Sequence, residues 1–513
     1  METKDIIILC TIIAYLIMMV VIGIICSRKN ESVGDFYLGG RRLGPIVTAM
    51  SAEASDMSSY LIMGLPGLAY FSGASEVGWT IIGLFIGTYL NWLIVAKRLR
   101  IYSQRTGSIT LPDFFSDRFR DKHHVLMGIA ALIILIFFIP YTGSGFAACG
   151  KLFNSLFGID YHAAMIIGAI VIIAYTSIGG FLAASTTDLI QSIVMTLALI
   201  ILVVYGVHHA GGVDHVIENA KSLPGYFSLT SGYDESTGTA TPFGFLSIIS
   251  TLAWGLGYFG MPHILLRFMA IEDEHKVKIS RRIASVWVIL SMAVAMFIGM
   301  IGKALSADGF IGILTGNAEA ETVVVKMSHR MSESGVLFAV LAGLIFSGIL
   351  ACTMSTADSQ LLAASSSMSE NILGGVFGLK LTQKQSMLSA RAVLIVIAIL
   401  GILIAWNPES SVFRVVSFAW AGFGATFGPV MLAALFWKRS NKYGAVAGMV
   451  AGGVMVFLWK FGIARLGGAF AIYELLPAFV VACIAIVIGS LVTPAPEEGI
   501  VKEFDAVAKQ VRE

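Results

Sequence analysis

Residues 44–70 read GPIVTAMSAEASDMSSYLIMGLPGLAY, and at about 1.5 Å per residue a helix of that length would cross a bilayer core roughly 30 Å thick. Its middle is unlike an ordinary span. Ser51, Glu53, Ser55, Asp56, Ser58 and Ser59 crowd into the centre, and Gly64, Pro66 and Gly67 follow within one or two turns. A helix broken near Asp56 would present freed backbone carbonyls beside a carboxylate, the hard-oxygen environment that suits a sodium ion. An ionisable side chain at membrane depth is costly unless wet or paired. Asp56 is therefore the first functional residue the sequence offers, against the plain alternative of a structural pairing with a basic residue. Glu53, one turn earlier, reads as facing the cytoplasmic mouth near Arg41 and Arg42, as a gate or surface residue.

The rest of the chain carries the same solvent signature. Of its 513 residues 57% are hydrophobic and 13% are charged, with a mean hydropathy of +0.84, whereas soluble domains carry about 25% charge. Only helices or a closed barrel satisfy backbone groups in lipid, and helix-length apolar blocks recur throughout. They predict an all-α polytopic membrane protein of 13 transmembrane helices, over about 6–26, 44–70, 75–96, 125–149, 161–180, 188–208, 243–266, 283–303, 333–357, 390–406, 413–437, 443–463 and 470–491. The first block lacks a basic leader and a small-residue cleavage site, so it reads as a retained helix. Residues 492–513 form a tail. The net charge of +2, without a long basic run, gives no reason to expect nucleic acid as a partner. Cys10, Cys26, Cys149, Cys352 and Cys483 lie in or beside apolar segments without metal-ligand spacing, which argues against disulfides and structural metal.

Basic residues in short loops stay on the cytoplasmic side. Twenty-two of the 34 fall on one side of the thirteen-span scheme, among them Arg28, Lys29, Arg41, Arg42, Arg118, Arg267 and Arg282. That sense places the amino terminus outside and the tail inside. The outer connections 211–241 and 306–332 would then be vestibule walls, a gate or plain surface loops. LPDFFSDRFR, 111–120, predicts a short interfacial helix with proline in its first turn.

Three further stretches repeat the mixture of small, polar and aromatic residues. In Ser347–Thr356, the residues Cys352, Ser355 and Thr356 share a helical face. Two hydroxyls and the carbonyl of Cys352 could complete an oxygen cage opposite the broken helix, although such hydroxyls also glue membrane helices together. Trp254–His263 sets three glycines and Pro262 beside Trp254, Tyr258 and Phe259, a loosened helix with apolar walls for a small solute, or else ordinary ring-on-glycine packing. Tyr141 in PYTGSG and Trp420 in WAGFGATFGP are two more walls or close crossings. Asp188 follows Ala184-Ser185-Thr186-Thr187 and is explained as a helix cap, against the alternative of a role in ion exit. No phosphate loop, nucleophile elbow or HExxH occurs, so an enzyme is not expected.

These stretches carry a resemblance. LGGRRLGP (38–45), SDMSSYLIMGLPG (55–67), WGLGYFGMPHIL (254–265), MSTADSQLL (354–362) and FAWAGFGATFGPV (418–430) resemble the proline-carrying members of the solute:sodium symporter family over essentially the whole chain. The resemblance implies a five-plus-five inverted-repeat core of the leucine-transporter type, over 44–208 and 243–437, with a leading helix at 6–26 and two trailing helices within 443–491. It implies a bacterial cytoplasmic (inner) membrane, L-proline and Na+ as the transported pair, lipid as solvent, and neither a cofactor nor an obligate protein partner. It further implies sodium ligation by the carbonyls of Ala54, Met57 and Cys352 and the hydroxyls of Ser355 and Thr356, with Asp56 close to the ion. Ser58, Tyr141, Trp254, Tyr258 and Pro262 would shape the proline pocket. The chain departs from the family where Ser59-Tyr60 replaces Gly-Trp, where Glu53 replaces a glycine, and at Cys352, usually a small residue. The nearest rivals are the same machine with a sugar, another amino acid or a carboxylate, or with a proton in place of sodium. A channel or sensor module stands further off.

Overall fold

The structure is a computed structural model that describes residues 2–27, 33–380, 382–409 and 411–512; Arg28 and Lys29, used above to orient the chain, lie outside them. The helices are α1 (Thr3–Ser27), α2 (Pro45–Ser59), α3 (Leu65–Ser72), α4 (Ala74–Thr106), α5 (Leu111–Arg118), α6 (Val125–Phe157), α7 (Tyr161–His209) and α8 (Val213–Ser222). A small hairpin, β1 (Ser231–Asp234) with β2 (Thr239–Pro242), precedes α9 (Phe245–Phe259), α10 (Pro262–Ala270) and α11 (Val277–Ala307). Then come α12 (Gly316–Ala320), α13 (Val323–Ser332), α14 (Val336–Ser366), α15 (Gln383–Ile404), α16 (Val412–Phe436), α17 (Lys442–Phe461), α18 (Leu475–Leu491) and α19 (Glu498–Arg512).

Among the described residues nine helices are long and apolar enough to cross a membrane, and the bent pair α9–α10, at 44°, makes up to ten. Tyr161–Ala174 and α18 are apolar but shorter. The chain is thus a multi-pass, all-helical membrane protein. The polar, interrupted α2–α3 pair sits inside the bundle, with every residue from Thr48 to Gly67 buried.

The two breaks have local causes. In α2 Ser58 takes φ 48°, ψ −170°, a backbone state that L-residues rarely occupy, and a widened turn over Tyr60–Gly64 leads into α3, which has Pro66 in its first turn. The break falls two residues beyond Asp56. In α9 the last turns, Ala253–Phe259, tighten into a 3-10 helix before Pro262 opens α10. Glycines allow the crossing at this point: a Cβ on Gly255 would lie 2.2 Å from the carbonyl oxygen of Gly83, and one on Gly257 would lie 1.9 Å from Nε1 of Trp420.

Three expectations are corrected. The loop drawn between spans five and six shrinks to a break at Gly180 (φ 65°, ψ −175°), where two helical stretches of α7 meet, so Asp188 lies within the second stretch and caps nothing. Arg267, counted among loop cations, is 1% exposed within α10. Segment 306–332 is no plain surface loop; it folds into α12 and α13, and Glu321 packs so closely over the broken helix that a Cβ on Gly67 would sit 2.7 Å from its backbone. Segment 111–118 does form a helix, closed by a capping box between Thr110 and Asp113, but Phe114 and Phe115 are buried instead of spread on lipid.

At the end of the bundle that carries most of the cations, α19 lies across the helix ends. Phe504 and Val507 are buried, the Arg98 and Arg118 guanidiniums stack on the Phe504 ring, and the Lys97 ammonium donates to the Val511 carbonyl at 2.8 Å.

Candidate functional site

The break in α2 and the polar face of α14 meet. The Ser355 hydroxyl is 2.8 Å from the Ala54 carbonyl oxygen and 3.2 Å from that of Cys352. The Thr356 hydroxyl is buried and has no hydrogen-bond partner. Burying a hydroxyl without a partner costs about 1–3 kcal/mol, and a ligand that accepts oxygen lone pairs would offset that cost. The chemistry of the set fits sodium: carbonyls and hydroxyls, with no thiolate or imidazole donor required. The Met57 carbonyl, which already accepts from the Tyr60 amide, keeps a second lone pair.

Asp56 faces the other way. Its Oδ2 accepts a 2.6 Å hydrogen bond from the Tyr258 hydroxyl, while Oδ1 is buried and unpartnered. The Tyr141 hydroxyl donates to the Asp56 carbonyl at 3.3 Å. No basic side chain pairs with Asp56 among the described residues, so the structural pairing considered above is not what holds it. Asp56, Met57, Tyr60, Leu84, Tyr141, Trp254, Met292, Val416 and Trp420 line a cavity of about 10 Å³, room for about one water molecule.

Tyr141 and Trp254 thus reach the cavity. Tyr258 reaches it only through Asp56, the Ser58 hydroxyl accepts from the Tyr60 amide at 3.2 Å, and Pro262 opens α10 outside the lining. Leu84, Met292 and Val416 carry no signal in the sequence, being aliphatic residues in aliphatic spans.

Above the cavity the rings form a lid. Tyr60 stacks on Trp254 with centroids 6.0 Å apart, Phe413 lies against both at 5.8 and 5.4 Å, and Tyr473 stacks on Trp254 at 5.1 Å. A separate vestibule of about 1030 Å³ has walls that include Lys151, Thr322, Ser411 and Arg414. Pro140 and Val415 line this vestibule while their neighbours Tyr141 and Val416 line the cavity, so α6 and α16 border both. Glu321 ties the rim: it accepts from Lys151 at 3.0 Å, from the Ser411 hydroxyl at 2.8 Å and from the Phe413 amide at 3.2 Å.

On the other side of Asp56 a buried polar cluster ties four helices together. The Arg267 guanidinium donates to Asp188 at 3.2 Å, Ser51 at 3.0 Å, Ser359 at 2.5 Å and the His263 carbonyl at 2.9 Å, and Ser51 also donates to Asp188 at 2.6 Å. These contacts join α2, α7, α10 and α14 at a level about one and a half turns below Asp56. Asp358, also fully buried, accepts from Ser359 at 3.1 Å. Glu53 is not a surface or mouth residue: it is 1% exposed, and its Oε1 accepts from Trp92 at 3.0 Å and Thr88 at 3.2 Å. Arg41, expected near it, donates instead to Ser103, Ser108 and the Met269 carbonyl.

The comparisons with known proteins agree with this architecture. A sequence model described as the sodium:solute symporter family matches residues 36–452. The sodium/proline symporter of Haemophilus influenzae is 41% identical over 511 residues, covering 98% of each chain, and that of Escherichia coli K12 is 41% identical over 499 residues, covering 97% of this chain and 95% of the relative. Among solved structures, a Na+-coupled sialic acid symporter in a substrate-bound outward-open state superposes with a TM-score of 0.78 at 19% identity, over 96% of this chain and 99% of the other. That likeness carries the fold, the leucine-transporter type expected from the sequence. With a family model over most of its length and relatives at this identity, the chain belongs to the sodium:solute symporter family.

Proposed function

We propose that the chain takes up L-proline together with sodium by alternating access across a bacterial cytoplasmic membrane. The single observation that carries the reading is the meeting of broken α2 with α14, where the Ala54 carbonyl lies 2.8 Å from the Ser355 hydroxyl beside the unpartnered Thr356 hydroxyl. Relatives named for sodium and proline at about 40% identity support the choice of ion and solute, and the rings around the small cavity suit a compact, partly apolar zwitterion.

In this reading sodium arrives from the vestibule and enters between the Ala54 carbonyl and the Ser355 oxygen, the hydroxyl turning its hydrogen aside, and the carbonyls of Ala54, Met57 and Cys352 and the hydroxyls of Ser355 and Thr356 draw around the ion. Asp56 supplies negative charge nearby and transmits the ion's arrival to Tyr258. Ordering of the α2 break then sets Tyr60 and Trp254 as walls for proline, so each ligand raises the affinity for the other. A cavity of about 10 Å³ is too small for proline, so the ring lid parts for loading while the Arg267–Asp188 seal stays shut, and the order reverses for release. Nothing in these steps makes or breaks a covalent bond, and the protein acts as a carrier, not an enzyme.

Counting α2–α3, Tyr161–Ala174 and α18 as spans gives the thirteen expected, with repeats at 44–208 and 243–437, the amino terminus outside and α19 inside. The test is equilibrium binding of labelled proline to the purified chain in sodium or choline buffer, with sugars and other amino acids as competitors. The reading requires sodium-dependent, proline-selective binding. Binding indifferent to sodium, or displaced by sugars, would defeat it.

A further inference from the structure

A second concavity lies on the lipid-facing side, between α7 and α11, with a volume of about 650 Å³. Ile200, Val286 and Leu290 form its walls and are each more than half exposed, Met50 forms its floor at 9% exposure, and Arg282 stands at one end. The Trp287 ring nitrogen donates to the Thr196 hydroxyl at 3.0 Å, which fixes one wall across the two helices. Lys278 lies one turn before Arg282 on the same face of α11, and among the described residues neither makes an ion pair. Both precede the apolar run of the helix, and thus sit at headgroup level while the groove extends into the hydrocarbon.

We infer that this groove is a binding site for an anionic glycerophospholipid of the phosphatidylglycerol class, its phosphate on Arg282 and Lys278 and an acyl chain along Val286 and Leu290 to Met50. Charge complementarity selects the occupant. A basic residue at the membrane surface favours an anionic lipid by about fivefold, so two favour it about twenty-fivefold over a zwitterionic one. The other apolar crevice, about 350 Å³ between α1, α6, α7 and α14, has no cation in its lining and gives no such preference. The site is separate from the ion and solute pocket, yet its floor residue Met50 is one turn before Ala54 on α2. A lipid seated here therefore touches the helix whose break holds the proposed sodium ligands.

The experiment uses the full chain reconstituted into vesicles of equal phosphatidylcholine and phosphatidylglycerol, extracted gently and weighed with its retained lipids by native mass spectrometry. The wild type should retain phosphatidylglycerol at least tenfold over phosphatidylcholine. K278Q/R282Q should lower that ratio at least fivefold, and V286W, which fills the groove without touching the charges, should reduce phosphatidylglycerol retention by a similar factor. K380Q/K384Q, which removes two cations elsewhere, should leave the ratio unchanged. Equal retention of both lipids by the wild type, no response to either groove variant, or an equal response to K380Q/K384Q would overturn the site. Proline is absent from the measurement, so its outcome is independent of the transport reading.

Discussion

Thr356→Val exchanges the one unpartnered hydroxyl on the ion-facing side of α14 for a methyl of the same shape. This hydroxyl is buried without a hydrogen bond from the protein, so its removal costs no folding energy and relieves a desolvation penalty of about 1–3 kcal/mol. With sodium bound it would be one of five oxygens. A hydrogen-bonding oxygen on a charged group contributes about 1.5–3 kcal/mol, and at about 1.4 kcal/mol per tenfold the half-saturating sodium concentration should rise roughly ten- to hundredfold. Thr353→Val is the control, because the Thr353 hydroxyl donates to the Ile349 carbonyl of its own helix at 3.0 Å; its sodium dependence should move by less than about twofold. Sodium titration of proline binding measures both, and thermal unfolding in sodium-free buffer should find Thr356→Val at least as stable as the wild type. Equal small shifts in the two variants, or a destabilised Thr356→Val with unchanged sodium dependence, would refute the cage.

Ser355→Ala should likewise weaken sodium activation and recover at saturating sodium by mass action, whereas Trp254→Ala, which removes a wall of the cavity, should stay defective in proline binding at any sodium concentration. Tyr258→Phe, which deletes the hydroxyl 2.6 Å from Asp56, should raise the sodium requirement more than it alters proline affinity at saturating sodium; the reverse pattern in binding isotherms would place Tyr258 in the pocket instead. Asp188→Asn strands the buried Arg267 charge and should lower stability by about 3–5 kcal/mol, read by thermal unfolding, while Asp188→Asn combined with Arg267→Met should recover part of that loss. Gly257→Ala puts a Cβ 1.9 Å from the Trp420 ring nitrogen, which must break the 2.8 Å bond from that nitrogen to the Trp254 carbonyl; overpacking of this kind costs about 1–3 kcal/mol, and proline affinity should fall with it.

The sequence made local features legible and long-range ones not. The α2 break could be read because Gly64, Pro66 and a run of serines stand out in an apolar span, and the 352, 355, 356 stripe follows from helical periodicity alone. Ser58 as the hinge could not be read, since nothing in the residue type favours φ 48°. The Asp188–Arg267 pair has no signal at either end. Each residue had a sound local explanation, as a cap and as a loop cation, and only the fold brings positions 79 residues apart together. Glu53 reads as a mouth residue for the same reason: its partners Thr88 and Trp92 sit on α4, beyond any local window. The rings at 254, 258 and 420 were legible as a group, but their roles were not, because facing the cavity, supporting Asp56 and bridging to a backbone carbonyl look alike in sequence. The order of apolar blocks is legible in the sequence, but among the described residues only nine of them, or ten with α9–α10, are long and apolar enough to cross a membrane, and the blocks at 161–180 and 188–208 meet at Gly180 without the loop drawn between them.

Uphill uptake of labelled proline into proteoliposomes, under an imposed inward sodium gradient and an inside-negative potential, tests the central claim most directly. At 100 mV a univalent ion supplies about 2.3 kcal/mol and a tenfold sodium gradient about 1.4 kcal/mol, so coupling to a single ion sustains accumulation of order several hundredfold. Accumulation that collapses when sodium is equalised and the potential dissipated, and that Asp56→Asn sharply weakens, is the predicted result. Accumulation of equal size under a proton gradient without sodium, or mere equilibration at rates far above those of a carrier, would contradict it.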